Sequence, residues 1–181
     1  MATPPDFVAG QVLTAAQMNG IGLWEIKSQT IGTAVSSVVV TGAFSADYEN
    51  YLIVVNGGVA STTLNLNLTL GSANTAYYQK SLFGTWANNT ITGVGVNNAA
   101  NFPAIVRGTT SSLSGTFQLL SPNLAKNTIM FFSNTETSTT TGFWEQGGGM
   151  LADTTQHTAF TLTASTGTIT GGTIRVYGYR N

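Results

Sequence analysis

The chain contains no cysteine. Disulfides, thiolate metal sites and cysteine nucleophiles are therefore excluded, and stability must come from packing, hydrogen bonding or association. Charge is nearly as scarce. Six Lys and Arg stand against seven Asp and Glu, so only 7% of the 181 residues are charged and the net charge is −1; an ordinary soluble domain carries about 25%. Six scattered cations cannot form the phosphate-neutralising stripe that nonspecific nucleic-acid binding requires. Apolar runs are short, Leu52-Ile53-Val54-Val55 being typical of the longest, whereas a membrane span needs about 20 residues. Residues 1–10 have neither a basic start nor an apolar core, so no secretory signal is expected. With one histidine, His157, a zinc site lacks ligands. No nucleic acid, membrane insertion, metal or cofactor is expected.

What fills the chain is Thr, Gly, Asn and Ser, which occupy 80 positions beside 42% apolar residues. The apolar content is too high and the charge too low for disorder by repulsion, and near-zero net charge promotes association. The length fits one domain with a short appendage. From residue 23 onward the pattern is β. Leu64-Asn65-Leu66-Asn67-Leu68-Thr69-Leu70 alternates strictly, placing four Leu on one face. Ile174 and Val176 face away from Arg175, Tyr177 and Tyr179 by the same rule. Residues 35–40, 51–55, 116–120, 128–132 and 160–162 are further short strand candidates. Turn signals fall between them: Asn56-Gly57-Gly58, Gly71-Ser72, Asn88-Asn89, Ser121-Pro122-Asn123, Gly147-Gly148-Gly149 and Gly171-Gly172. Residues 88–108 and 133–141 carry no clear pattern and read as long loops. The expected fold is all-β, an antiparallel jelly-roll-like sandwich over residues 23–181.

Residues 1–22 read differently, as a docking arm. Pro4-Pro5 favours an extended start. Thr14 and Gln17 fit the spacing of a capping box, with Leu13 and Met18 as its hydrophobic staple, and Asn19-Gly20 supplies a helix stop. The predicted helix over 14–19 is too short to stand alone in water, so its apolar side chains must dock. An extended arm with a capped apolar turn suits a groove on another protein. The expected docking residues are Phe7, Val8, Val12, Leu13, Thr14, Ala15, Met18 and Asn19.

The chemistry on offer is thin. Asp153 precedes His157 by four residues, but in a loop-and-strand segment that spacing does not make neighbours as it would on a helix, and no Gly-x-Ser-x-Gly elbow is present. Paired carboxylates run glycoside hydrolysis, and Glu136, Glu145 and Asp153 share one third of the chain. Solvated loop charges and strand-edge ion pairs account for them more simply, so no enzyme is expected. Aromatic residues cluster, and Tyr77, Tyr78, Trp86 and Trp144 are the candidates for contact with a receptor or a flat sugar face.

Two stretches carry a resemblance. Phe7-Val8-Ala9-Gly10-Gln11-Val12-Leu13-Thr14-Ala15-Ala16-Gln17-Met18-Asn19 resembles the aGxvLTAAxxN opening of many tailed-phage structural proteins. Gly172-Thr173-Ile174-Arg175-Val176-Tyr177-Gly178-Tyr179-Arg180 is similar to the last strand of phage jelly-roll appendage domains, and residues 44–51 and 120–123 are similar to inner landmarks of that group. The resemblance implies a non-enzymatic virion protein of the minor tail, fibre or head-decoration type. It further implies a homotrimer docked through its arm on other virion proteins, on the outside of a particle assembled from chains made in the host cytoplasm. The expected role is a tail-tip or fibre-type appendage that meets a host surface glycan. The alternatives are a capsid decoration or head-fibre protein, and a glycan-degrading virion enzyme.

Overall fold

The computed structural model describes residues 23–136 and 142–180, together with Gly10, Val12 and Thr14. Twelve strands follow one another: β1 (Leu23–Thr30), β2 (Ser37–Val40), β3 (Tyr48–Ala60), β4 (Leu64–Leu70), β5 (Tyr77–Thr85), β6 (Ile91–Ala99), β7 (Phe102–Gly108), β8 (Leu113–Leu120), β9 (Thr128–Thr135), β10 (Phe143–Leu151), β11 (Phe160–Ala164) and β12 (Ile169–Arg180). Each strand pairing is antiparallel, and no helix occurs among the described residues. The helix expected at 14–19 and most of the arm lie outside the described residues.

The hydrogen-bonded network branches at β8. One edge of β8 follows β3, while its other edge follows β9 and, at Leu113 and Ser114, β7. One branch therefore runs β1-β12-β3-β8-β9-β10-β5-β6 and the other β2-β11-β4-β7. Aromatic rings join the two branches. Phe117 of β8 meets Phe160 of β11 edge-on at 5.9 Å, Phe160 stacks on Phe44 at 5.8 Å, and Phe44 meets Tyr51 of β3 edge-on at 4.8 Å. The Tyr51 hydroxyl donates to the Ser45 and Tyr48 carbonyls and accepts from the Ser45 amide at 2.8 Å, so a buried polar atom is satisfied locally.

Where alternation is strict, sequence and structure agree residue for residue. Leu64, Leu66, Leu68 and Leu70 are all buried, and the Asn and Thr between them are half-exposed. Each buried leucine stabilises the fold by about 1.5–3 kcal/mol. Ile174 and Val176 are likewise buried, with Arg175 and Tyr177 turned toward solvent.

Three expectations are corrected. Residues 88–108, read as a loop, contain β6 and β7. Neither strand alternates: β6 is exposed along most of its length, whereas β7 is buried on both faces, and alternation marks only strands with one wet face. Residues 133–135, placed in a polar loop, complete β9. Three glycine clusters read as turns lie inside strands. Gly57-Gly58 and Gly171-Gly172 face each other across β3 and β12, where Gly57, Gly171 and Gly172 have φ of 80°, 66° and 85°. Against β8 the register of β3 shifts between Asn56 and Gly58, a bulge at Gly57, and both long strands continue through these positions. Gly147-Gly148-Gly149 sits in the middle of β10. A Cβ on Gly147 would lie 2.6 Å from Ser81 Cβ and 2.7 Å from the Phe132 ring; the triplet exists so that neighbouring side chains can lie across the strand.

Candidate functional site

Strands β9, β10, β5 and β6 extend the long branch beyond β8. Their register sorts the side chains. Tyr77, Gln79, Ser81 and Phe83 of β5 share one face with Glu145 and Leu151 of β10 and with Met130, Phe132 and Asn134 of β9. This inner face rests on β7. The opposite, outer face carries Tyr78, Lys80, Leu82, Trp144, Gln146, Met150, Ile129 and Phe131.

Beneath the inner face, β7 bulges. Leu66 pairs with Val106 and Leu68 with Phe102, so residues 103–105 stand opposite Asn67 alone, and Ala104 has a φ of 57°. Their backbone groups lose the ladder and are taken up by side-chain amides. Asn67 Oδ1 accepts from the Ala104 amide at 3.1 Å, Gln79 Nε2 donates to the Pro103 carbonyl at 3.0 Å, and Asn134 Nδ2 donates to the Ala104 carbonyl at 2.8 Å. The bulge holds β7 away from β5 and leaves a cavity of about 310 Å³.

Charge enters this cavity from β7 and β10. Arg107 Nη2 lies 3.2 Å from Glu145 Oε2, and Ser81 Oγ donates to Glu145 Oε1 at 2.7 Å. The guanidinium also caps the Phe143 ring, with Cζ 3.6 Å from the centroid. Burial lowers the Arg107 pKa, and Glu145 opposes that shift. Glu136, just past β9, is buried within the field of the same arginine; burial raises its carboxyl above the ordinary range while Arg107 pulls it back. Four buried polar atoms in this region have no hydrogen-bond partner: Gln79 Oε1, Arg107 Nε, Asn134 Oδ1 and Glu136 Oε2. Gln79 and Arg107 line the cavity itself.

Of the three acids singled out from the sequence, the structure gathers Glu136 and Glu145 around Arg107. Only Glu145 lines the cavity. Asp153 lies apart, its Oδ2 3.9 Å from His157 Nε2 and its Oδ1 accepting from the Thr155 amide and hydroxyl. His157 is a buried loop residue whose amide donates to Pro122 and whose carbonyl accepts from Asn123; among the described residues no serine hydroxyl bonds to its ring nitrogens, and Nε2 has no hydrogen-bond partner. Among the described residues no cluster of three His, Asp or Glu could hold a metal ion.

The four aromatic candidates separate. Tyr77 is wholly buried, its ring edge-on to Phe102 at 4.7 Å and its hydroxyl accepting from the Leu70 amide at 2.8 Å; it is a core residue, so its expected contact role is corrected. Tyr78 is half-buried on the outer face. Trp86 is exposed at the β5–β6 hairpin, with Nε1 donating to the Glu136 carbonyl at 3.1 Å. Trp144, half-buried, joins Leu82 and Phe131 as the apolar walls of a shallow outer groove of about 420 Å³ floored by Gly147 and Gly148. Of the docking residues, Val12 and Thr14 are exposed; Phe7, Val8, Leu13, Ala15, Met18 and Asn19 lie outside the described residues.

No family model, curated protein or solved structure matches this chain.

Sequence reasoning missed Arg107, Gln79, Ser81 and Asn134. One signal was available: Gln79 and Ser81 stand in phase with Tyr77 and Phe83, and Asn134 in phase with Met130 and Phe132, on otherwise apolar stretches of their strands.

Proposed function

We propose that this chain is a non-enzymatic structural protein of a tailed-phage virion, a homotrimer of jelly-roll domains docked on other virion proteins through residues 1–22. Two lines of strands ordered β1-β12-β3-β8 and β2-β11-β4-β7 are the order of a jelly-roll sandwich, two Greek keys wrapped together. On this reading β5-β6 and β9-β10 are hairpins added at one edge, and residues 23–181 form the sandwich. The protein sits on the outside of the particle after synthesis in the host cytoplasm. Its role is that of a tail-tip or fibre-type appendage that meets a host surface glycan.

One observation supports self-association: the outer face of the added hairpins leaves Leu82 at 53%, Phe131 at 51% and Met150 at 36% exposure, beside Trp144 and Tyr78. These exposed apolar side chains, interspersed with Lys80 and Gln146, on a chain with almost no net charge favour association. We assign its occupant as a second copy of this chain.

Sedimentation of the purified protein gives a trimer, and Leu82→Lys with Phe131→Lys gives a folded monomer. A wild-type monomer at micromolar concentration refutes the oligomer. Deletion of residues 1–20 leaves a folded β domain that no longer joins particles; normal incorporation refutes the docking arm. Labelled antibody on intact particles distinguishes tail from head, where a capsid decoration or head fibre would appear. Release of reducing ends from host polysaccharide would favour the enzyme instead.

A further inference from the structure

β6 ends the long branch, and among the described residues no strand lies beyond it. We propose that its free edge pairs antiparallel with β6 of a second copy of this chain, across a twofold axis at Val94.

Three strands end the hydrogen-bonded lines: β1, β2 and β6. A row of free backbone N–H and C=O groups templates another strand, and sheets blunt such edges with charge, proline, bulges or shortness. β1 carries Glu25 and Lys27 with a register shift between them. β2 is four residues long. β6 has nine residues, none of them charged and none proline, and Ile91 to Val96 run along β5 without a register shift. The same stretch shows apolar side chains to solvent, with Ile91 at 56% and Val94 at 42% exposure. An extended row of backbone groups is answered by another extended strand, so the occupant is a strand rather than a helix.

The pattern of β6 selects a second copy. Thr92, Val94 and Val96 stand opposite Phe83, Ser81 and Gln79 on the inner face, while Gly93 and Gly95 stand opposite Leu82 and Lys80 on the outer face. About Val94 the run Thr92-Gly93-Val94-Gly95-Val96 is therefore symmetric in shape: a glycine on either side, then a β-branched residue. Antiparallel pairing about that point sets Val94 against Val94 of the second copy, Thr92 against its Val96, and Gly93 against its Gly95. Inner faces stay on one side, β-branched side chains meet in the pairs that stabilise a ladder, and no like charges meet. One patch serves both copies, as an isologous contact requires. A pair of edge strands is a smaller contact than the standard interface of about 1,600 Å². It forms when copies are concentrated or held side by side, so it neither rests on the trimer nor alters the micromolar state.

Hydrogen exchange on the full chain tests this. Between about 5 and about 500 μM protein, the outward amides of residues 91–96 slow about tenfold, while those of β1 and β2 keep their rates. Val94→Lys sets two ammonium groups against each other across the axis; it abolishes the slowing and leaves the melting temperature at the lower concentration unchanged. Should that variant fold poorly, Thr92→Lys, at an exposed position, reads the same loss. Leu82→Lys with Phe131→Lys keeps the slowing, which separates this contact from the outer face. Fast exchange at both concentrations, or protection already complete at the lower one because the chain itself covers the edge, would overturn the proposal. So would a slowing that the β6 lysines spare or that the outer-face pair removes.

Discussion

Arg107 sits over the Phe143 ring, its Cζ 3.6 Å from the centroid, while the same guanidinium reaches Glu145. The stack fixes the arginine from above and the carboxylate fixes it from the side. Arg107→Ala removes both contacts and leaves Glu145, whose side chain is 4% exposed, as an uncompensated buried charge. Loss of one partner of such a pair costs about 3–5 kcal/mol. The triple change Arg107→Met, Glu145→Leu, Ser81→Ala recovers most of that, because it removes the charge together with its partners. Chemical denaturation of the three proteins side by side checks the ordering; an Arg107→Ala protein as stable as its parent would show that the pair contributes nothing.

The glycines of β10 give an opposite pair of expectations. Gly147→Ala puts a methyl 2.6–2.7 Å from Ser81 Cβ and the Phe132 ring, and overpacking of that kind costs about 1–3 kcal/mol. Gly93→Ala in β6 meets nothing nearer than Leu82 Cδ2 at 3.8 Å and stabilises by about 0.4–1 kcal/mol through the unfolded chain. Thermal melts of both variants decide it: they must move in opposite directions.

Burial holds the His157 imidazole below its ordinary 6.5, with Asp153 opposing weakly. Below that pH the unfolded chain takes up a proton that the folded chain refuses. The stability is therefore whole above pH 6.5 and falls as pH drops toward the folded value, by at most about 1.4 kcal/mol per pH unit. His157→Gln flattens stability against pH in this window. Asp153, whose carboxyl is lowered chiefly by the Thr155 amide and hydroxyl, acts only at lower pH. Urea titrations between pH 5 and 7 measure the slope; an unchanged slope in the variant rules His157 out as its source.

Glu136 works with the other sign. Its carboxyl is raised above 4.5 by burial, so its stability is whole below that pH and is lost as pH rises through the folded value. Glu136→Gln removes the loss. The variant melts a few degrees above its parent at pH 7, and the difference closes near pH 4. A variant that melts lower at neutral pH would mean that the carboxylate has a partner that outweighs its burial.

How much of this was legible depended on which faces of a strand are wet. β4 and β12 announced themselves, since one face is buried and the other is not. β7 did not, because Phe102, Ala104, Ile105 and Val106 are buried on both faces and around a bulge. Gly147-Gly148-Gly149 misled for a different reason: glycine permits a turn, but it also permits a neighbouring ring to cross a strand, and composition cannot separate these uses. Arg107 and Glu145 were invisible as a pair because 38 residues separate them and only the folding of β7 under β10 brings them together. The aromatic candidates failed in part since Tyr77 and Tyr78 are adjacent, and adjacent positions on a strand point to opposite faces.

The place of β12 carries a consequence for biosynthesis. It lies between β1 and β3 and, among the described residues, is the sole strand paired with β1, yet it is the last of the twelve to leave the ribosome. Until residues 169–180 emerge, the first strand lacks the partner it has in the folded chain and the flank of β3 stays bare, so this sheet cannot close before those residues are made. Nascent chains stalled before that point would present two open edges to one another and tend to aggregate.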